Sequence, residues 1–417
     1  MTSVIKIYSL LIGSALLMFG GGLQGLVLSV RGAEEHFSLL ALGLIGTGWS
    51  VGFVAGSITV PMLVKRVGHI RAYSVMAALG TITILLNSLW INDISWIALR
   101  GLSGYCFAGA AMIVESWLNE VTENQSRGTI FSVYSAINMA ASTVGQLAMS
   151  VIGVTGFVPF VVGAISFICA LLPTALTSKP QPRPLQSARL DLKLLYRTSP
   201  VAAIAAFSVG MANGTFGTLA PVYGYSQHLD AAGISYLMCL TVILGAASQI
   251  PFGRLSDRMD RRKVMVGLSG VAAIAGAALV FLDPQGGWLL YLLFGIYGFV
   301  AYPLYGIAVA HANDSAKEGD FAKISGGMLL IMGVGLAIGP AIAPTLMTNF
   351  KPVGLFIVTA AFHGALALTT ILRMRARPHV RGSRRARFRA MWADRGQTPE
   401  TVALDPRADE DALQEAL

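Results

Sequence analysis

The sequence predicts an all-α membrane protein: twelve transmembrane helices in two pseudo-symmetric six-helix bundles. Three observations predict it, namely apolar runs of bilayer length, a charge bias between alternate loops, and an internal repeat. The 417 residues are 54% hydrophobic and 12% charged, and the apolar runs are about 20 residues long, the length that crosses a bilayer core. A soluble chain of this length would break its apolar positions into stripes separated by charges, whereas Val264 to Leu282 carries no charge at all.

In chain order, the hydropathy predicts spans at Ile7 to Val30, Ser38 to Val64, Ala72 to Ile91, Trp96 to Leu118, Thr129 to Ile152 and Gly156 to Thr177. A second set follows at Val201 to Tyr225, Ala232 to Phe252, Val264 to Leu282, Trp288 to Ala310, Ile324 to Met347 and Val353 to Leu372. Residues 1–177 form the first half and 201–372 the second. A polar, proline-bearing linker (178–200) joins them, and a tail (373–417) is expected to be unstructured. The first segment is too long for a signal-peptide core, so it is expected to remain as the first helix.

Loop charge sets the expected orientation. Lys65, Arg66 and Arg71 follow span two, Arg127 follows span four, and Lys179, Arg183, Arg189, Lys193 and Arg197 lie in the linker. Arg254, Arg258, Arg261, Arg262 and Lys263 follow span eight, Lys317 and Lys323 follow span ten, and the tail begins with an arginine-rich run. The opposite loops hold Glu34, Glu35, Asp93, Asp230 and Asp283, with Arg31 and Lys351 as their basic residues. Because Lys and Arg are retained on the cytoplasmic side, both termini are expected there, in a bacterial inner membrane. The net charge of +9 then reports topology, and no nucleic-acid partner is needed to explain it.

The repeat is carried by small residues. One offset places Gly101, Gly104, Asn119, Glu120 and Gly145 onto Gly295, Gly298, Asn313, Asp314 and Gly339; another places Gly22 and Gly25 onto Gly214 and Gly217. Duplicated bundles of this kind hold their site between the halves. Cys106, Cys169 and Cys239 have neither disulfide-like nor metal-like spacing. No nucleophile elbow, metal cluster or phosphate-binding glycine loop is present, so neither an enzyme nor an ATP-driven pump is expected, and no cofactor.

The sharpest motif joins spans eight and nine: Gly253-Arg254-Leu255-Ser256-Asp257-Arg258-Met259-Asp260-Arg261-Arg262. Glycine permits close packing of the turn, and Asp257 can accept from arginines in a charge-assisted network able to latch one conformation. The matching first-half loop, Pro61 to Arg71, carries Lys65 where the acid would stand. Glu115 and Glu120 are therefore the candidates to pair with Arg66 or Arg71, as Asp314 is with Arg258 or Arg262. The loop resembles the signature of the major facilitator superfamily, and the spans from about Ile7 to Leu372 resemble that superfamily as a whole. Val114 to Glu120, Ala310 to Asp314 and Gly319-Asp320-Phe321 are similar to the YcaD-type subgroup of bacterial facilitators.

Arg100-Gly101-Leu102-Ser103-Gly104 is similar to the Arg-x-x-x-Gly pattern of proton-coupled facilitators. An arginine within a span is costly and faces a partner or an aqueous cavity, unless it snorkels from the nearby boundary. Glu115 is the carboxylate placed within a span, a candidate both for proton coupling and for a structural ion pair. Gln24, Asn138, Gln146, Asn213, Gln249 and Tyr302, with Tyr297 and Tyr305, are candidates to line a central cavity or to bond helix to helix. His363, midway along span twelve, and His311, at the inner end of span ten, could each titrate near neutral pH, but a lone helical histidine is more often a packing residue, and His363 is read as one. Gly333, Gly335, Gly339 and Pro340 in span eleven permit close packing or bending.

The resemblance implies a secondary active transporter moving a small solute by alternating access, with proton-coupled export as the leading mode and a monomer as the working unit. Span one lacks a carboxylate and span five reads Gly145-Gln146 where drug–proton antiporters commonly carry Gly-Pro, so facilitated diffusion and uptake symport stay open. From another class, a transport-inactive membrane sensor or scaffold would recruit partners through the basic tail, which can rest on anionic lipid.

Overall fold

The computed structural model describes residues 2–122, 126–175, 191–316, 320–376, 388 and 398–403. The first half is built from α1 (Thr2–Glu34), α2 (Leu39–Val67), α3 (His69–Leu89), α4 (Asp93–Val121), α5 (Arg127–Ile152), α6 (Val158–Cys169) and the single turn α7 (Leu172–Ala175). After α8 (Leu192–Thr198), the second half comprises α9 (Pro200–Ser226), α10 (Ala231–Arg258), α11 (Arg261–Leu282), α12 (Gly287–Ala301), α13 (Pro303–Asp314), α14 (Phe321–Asn349) and α15 (Gly354–Ala376). A last short helix, α16 (Pro399–Ala403), lies in the tail.

Among the described residues, eleven helices are long and apolar enough to cross a membrane, counting α12 and α13 as one continuous span. Span six departs from its expected form: α6 stops at Cys169, and the chain resumes as α7, so this crossing is shared between two pieces. Span ten is likewise divided at Tyr302, where Pro303 opens a new helical segment and its missing N–H removes one rung of the ladder. Two expected boundaries are also filled. Leu192–Thr198 in the linker is helical, capped by Asp191, whose carboxylate accepts from the Leu194 N–H at 2.8 Å, and part of the tail is helical too.

Side-chain caps define the starts of α2, α4 and α10 at the acidic end. Ser38 accepts from Ala41 N–H, Asn92 from Ser95 N–H and Asp230 from Gly233 N–H, at 3.1, 2.9 and 2.7 Å. Each satisfies one of the amides that a helix start leaves open. Outward-facing Val151, Ile274 and Phe281 are largely exposed in the isolated protein, as lipid-facing side chains are.

The repeat is visible in the packing. α1 lies against α5 as α9 lies against α14, and α2 against α4 as α10 against α12. The glycines sit where these partners cross. A Cβ on Gly145 would fall 2.1 Å from the Phe19 carbonyl oxygen, and one on Gly22 2.3 Å from that of Ser142. In the second half, a Cβ on Gly339 would fall 2.3 Å from the Met211 carbonyl oxygen and one on Gly214 2.6 Å from that of Leu336. Both crossings are backbone to backbone, which only glycine allows.

The halves meet along α2–α14 and α5–α10, and the close contacts lie towards the acidic end. Thr47 donates to the Ala337 carbonyl at 2.7 Å and Ser50 to that of Leu336 at 3.3 Å, while Gly43 sits under Pro340 and Pro344. Across the other seam, Cys239 Sγ lies 3.5 Å from the Thr143 carbonyl. The acidic end is therefore closed between the halves, and a cavity opens from the middle of the bundle towards the basic end.

Candidate solute cavity and the basic-end network

The cavity, about 80 Å³, draws its walls from both halves: α1, α2, α4 and α5 on one side, α9, α10 and Tyr302 on the other. Of the candidates read from the sequence, Arg100, Asn138, Gln146 and Tyr302 line it. Gln24 stands behind Arg100, accepting from its guanidinium at 3.3 Å. Asn213 and Gln249 are buried without reaching the wall, because helix rotation turns them into the second-half packing.

Arg100 is 3% exposed. Its guanidinium also lies 5.7 Å from the centre of the Trp49 ring, in cation–π range. The side chain therefore faces inward onto partners instead of snorkelling to the nearby boundary. Trp49, Phe107 and Met238 supply apolar wall; sequence reasoning missed them because nothing in hydropathy separates a cavity aromatic from a core aromatic.

Glu115 is fully buried, about four turns closer to the basic end than Arg100. The Tyr134 hydroxyl donates to its Oε1 at 2.6 Å, the Thr401 hydroxyl donates to the same oxygen at 2.8 Å, and the Thr398 hydroxyl donates to Oε2. Tyr134 in turn contacts Ser14 and Asn138, which are themselves bonded at 2.7 Å. A hydrogen-bonded line thus runs from the carboxylate through Tyr134 to Asn138 in the cavity wall.

The pairing expected between Glu115 or Glu120 and Arg66 or Arg71 is not what the structure contains. Arg66 and Arg71 are exposed, as is Glu120, and among the described residues none of these groups forms an ion pair. Hydroxyls, not guanidinium groups, meet Glu115. In the first half a histidine takes the arginine's place: His69 opens α3, 3% exposed, with its Nε2 3.4 Å from the Ser116 hydroxyl and within electrostatic reach of Glu120.

In the second half the pairing shifts by one helical register. Asp314 binds Arg261, through Nε at 2.7 Å and the second arm at 3.4 Å, where Arg258 or Arg262 was expected. Arg258 is exposed and Arg262 is engaged by Asp260 at 2.9 Å. Arg261 also donates to Ser256 and Asp257, each at 2.9 Å. The reason is that α11 starts at Arg261 with Asp260 as its cap, so the first residue of the helix points inward. Burial alone would raise the Asp260 carboxyl, but hydrogen bonds from the Arg262 side chain and backbone, with its charge, outweigh this and hold it below the usual carboxylate range.

Among the described residues no group of His, Cys, Asp and Glu is placed to hold a metal ion. What the arrangement offers is a largely apolar, aromatic-walled chamber between two halves, sealed at one end, with Arg100, Asn138 and Gln146 as polar groups in its wall.

Residues 10–316 and 202–402 each match the Major Facilitator Superfamily. The chain belongs to that superfamily. It is 27% identical over 338 residues to the "Uncharacterized MFS-type transporter YcaD" of Shigella flexneri and of Escherichia coli, covering 79% of this chain and 85% of the relative. Among solved structures, the nucleoside transporter NupG superposes with a TM-score of 0.73 at 16% identity, covering 89% of this chain and 99% of that one. A bacterial homologue of the human lysosomal transporter Spinster, inward-facing and occupied, superposes with a TM-score of 0.74 at 14% identity, covering 91% and 97%. The protein is thus a multi-pass membrane transporter with the twelve-helix fold of this superfamily, and not an enzyme.

Proposed function

We propose that this facilitator is a secondary active transporter that carries a small solute by alternating access and couples export to protons. The observation that carries the reading is the chamber between the halves. It is closed at the acidic end, it holds a buried arginine, and a buried carboxylate is linked to its wall through Tyr134. A buried carboxylate costs least when it can take up a proton, and a solute or a returning partner can alter that cost, which is the requirement for coupling. Trp49, Phe107 and Tyr302 beside Arg100, Asn138 and Gln146 suit a small solute that has an apolar face and hydrogen-bonding groups. With basic loops retained in the cytoplasm, the open end faces inward, both termini are cytoplasmic and the membrane is the bacterial inner membrane. Rocking of the halves about the chamber would close the basic end and part the α2–α14 and α5–α10 seams. The working unit in this reading is a monomer, with the bilayer as its surround.

The test is solute flux in proteoliposomes with inward, outward and zero pH gradients, beside Arg100→Ala and Glu115→Gln. Gradient-driven flux that Glu115→Gln uncouples is expected; flux indifferent to the gradient would make the protein a facilitator of diffusion.

A further inference from the structure

The basic mouth of the chamber is filled by the chain's own tail. Thr398 is completely buried and Thr401 7% exposed, although they lie in a polar stretch, and Thr401 forms part of the chamber wall. The segment Thr398-Pro399-Glu400-Thr401 is folded for this position. Thr398 caps α16, its hydroxyl oxygen accepting from the Glu400 N–H at 3.2 Å, and Pro399 occupies the first helical position, where no donor is needed. The Thr398 N–H bonds the Thr401 hydroxyl oxygen at 2.9 Å. Both hydroxyl hydrogens are thereby left to point at one acceptor, the Glu115 carboxylate. Asn119, one turn further along α4, donates to the Glu400 carbonyl at 3.3 Å.

A second anchor lies on the other half. The Phe388 N–H donates to both oxygens of Asp257, at 2.9 and 3.1 Å, and its ring lies over Gly253, where a Cβ would fall 2.1 Å from a ring carbon. The glycine and the acid of the loop signature thus form a seat for a tail aromatic. The two anchors grip opposite halves at the end where the halves are parted.

We propose that the parted basic end is a peptide-docking site whose ligand is this chain's own tail: residues 398–403 plug the chamber by seating two threonine hydroxyls on Glu115, and Phe388 latches the plug to the signature loop. The plug occupies the space that a solute must cross and the acceptors that Glu115 would offer to a proton, so the seated tail holds the transporter idle. This consequence for transport rests on the chamber being the solute path; the docking itself does not, and its test needs no flux.

The test places a cysteine at Ser135, on the chamber wall behind the plug, and follows its labelling by a membrane-impermeant maleimide applied to the basic face in membrane vesicles. Labelling of the parent protein with its natural cysteines is subtracted. Thr398→Val with Thr401→Val keeps the side-chain shapes and removes both donors. A rate increase of about tenfold or more is expected, because hydrogen bonds to a charged acceptor are among the stronger ones. Truncation after Ala376 should give the same or a larger increase. Unchanged rates in both would overturn the plug, and an increase on truncation alone would overturn the seat on Glu115.

Discussion

The two halves share one topology but organise their basic ends differently. In the second half the acids keep a guanidinium of their own half: Arg261, 1% exposed at its side chain, holds Asp314 and Asp257 together, and the tail adds only the Phe388 N–H to Asp257. In the first half the equivalent loop has a lysine in place of the acid, His69 stands where Arg261 would, and the buried acid, Glu115, draws donors from a tail at the far end of the chain. A duplicated scaffold can therefore keep its latch in one half and give the other half's buried acceptor to hydroxyls of the chain's own tail. Conformational control is asymmetric even where the helix packing is symmetric.

The largest effect is expected from Arg261→Ala. It removes the guanidinium from Asp314, whose side chain is 2% exposed, and breaking a buried pair by removing one partner costs about 3–5 kcal/mol. A large fall in the thermal unfolding midpoint in detergent is expected. His69→Ala, at the matching first-half position, should fall much less. Equal falls would remove the asymmetry.

The packing symmetry predicts the opposite outcome at the glycine crossings. Gly145→Ala and Gly339→Ala each drive a Cβ into a backbone carbonyl at nearly the same distance, 2.1 and 2.3 Å. Each should destabilise by about 1–3 kcal/mol, the usual range for overpacking. Similar losses measured by thermal unfolding would confirm that the scaffold is duplicated while the charges are not. A smaller effect sharpens the point: His69→Arg would restore the second-half arrangement opposite Glu120. That carboxylate is exposed, so the gain should stay within about 1 kcal/mol.

These contrasts also mark what was legible in the sequence. The glycine repeat was readable because backbone-to-backbone crossings tolerate no other residue, and the spans were readable because lipid demands long apolar runs. Register was not. Hydropathy leaves Arg258, Arg261 and Arg262 together in a loop, and only the cap at Asp260 decides which of them turns inward to Asp314. The same rotational freedom separates Asn138 and Gln146, which reach the chamber, from Asn213 and Gln249, which do not. α16 was invisible because a five-residue helix is too short to carry a periodicity; Thr-Pro-Glu-Thr reads as a helix start only once its acceptor is in view. The loop signature was recognisable as a pattern, but the use of Gly253 and Asp257 as a seat for Phe388 depends on a contact 131 residues away in the chain.

The smallest expected effect concerns the start of α11 against the start of α3. Asp260 caps α11 through the Arg262 N–H at 3.0 Å and pairs with the Arg262 side chain, whereas α3 starts at Gly68 with a positive φ of 85° and no side-chain cap. Asp260→Asn keeps an acceptor for the cap and removes the charge, so the loss should be about 0.3–1 kcal/mol. Its pH dependence follows from the sign of the shift. The folded-state value is depressed, so the contribution is complete above the unfolded carboxylate value of about 3.9 and is lost as pH falls through the lower folded value. The difference in unfolding midpoint between the two proteins should thus be constant from neutral pH down to about 5 and shrink below about 4. A difference that persists undiminished at low pH would mean that Asp260 contributes cap geometry alone. The charge contrast between the halves would then reside entirely in Arg261 and Asp314.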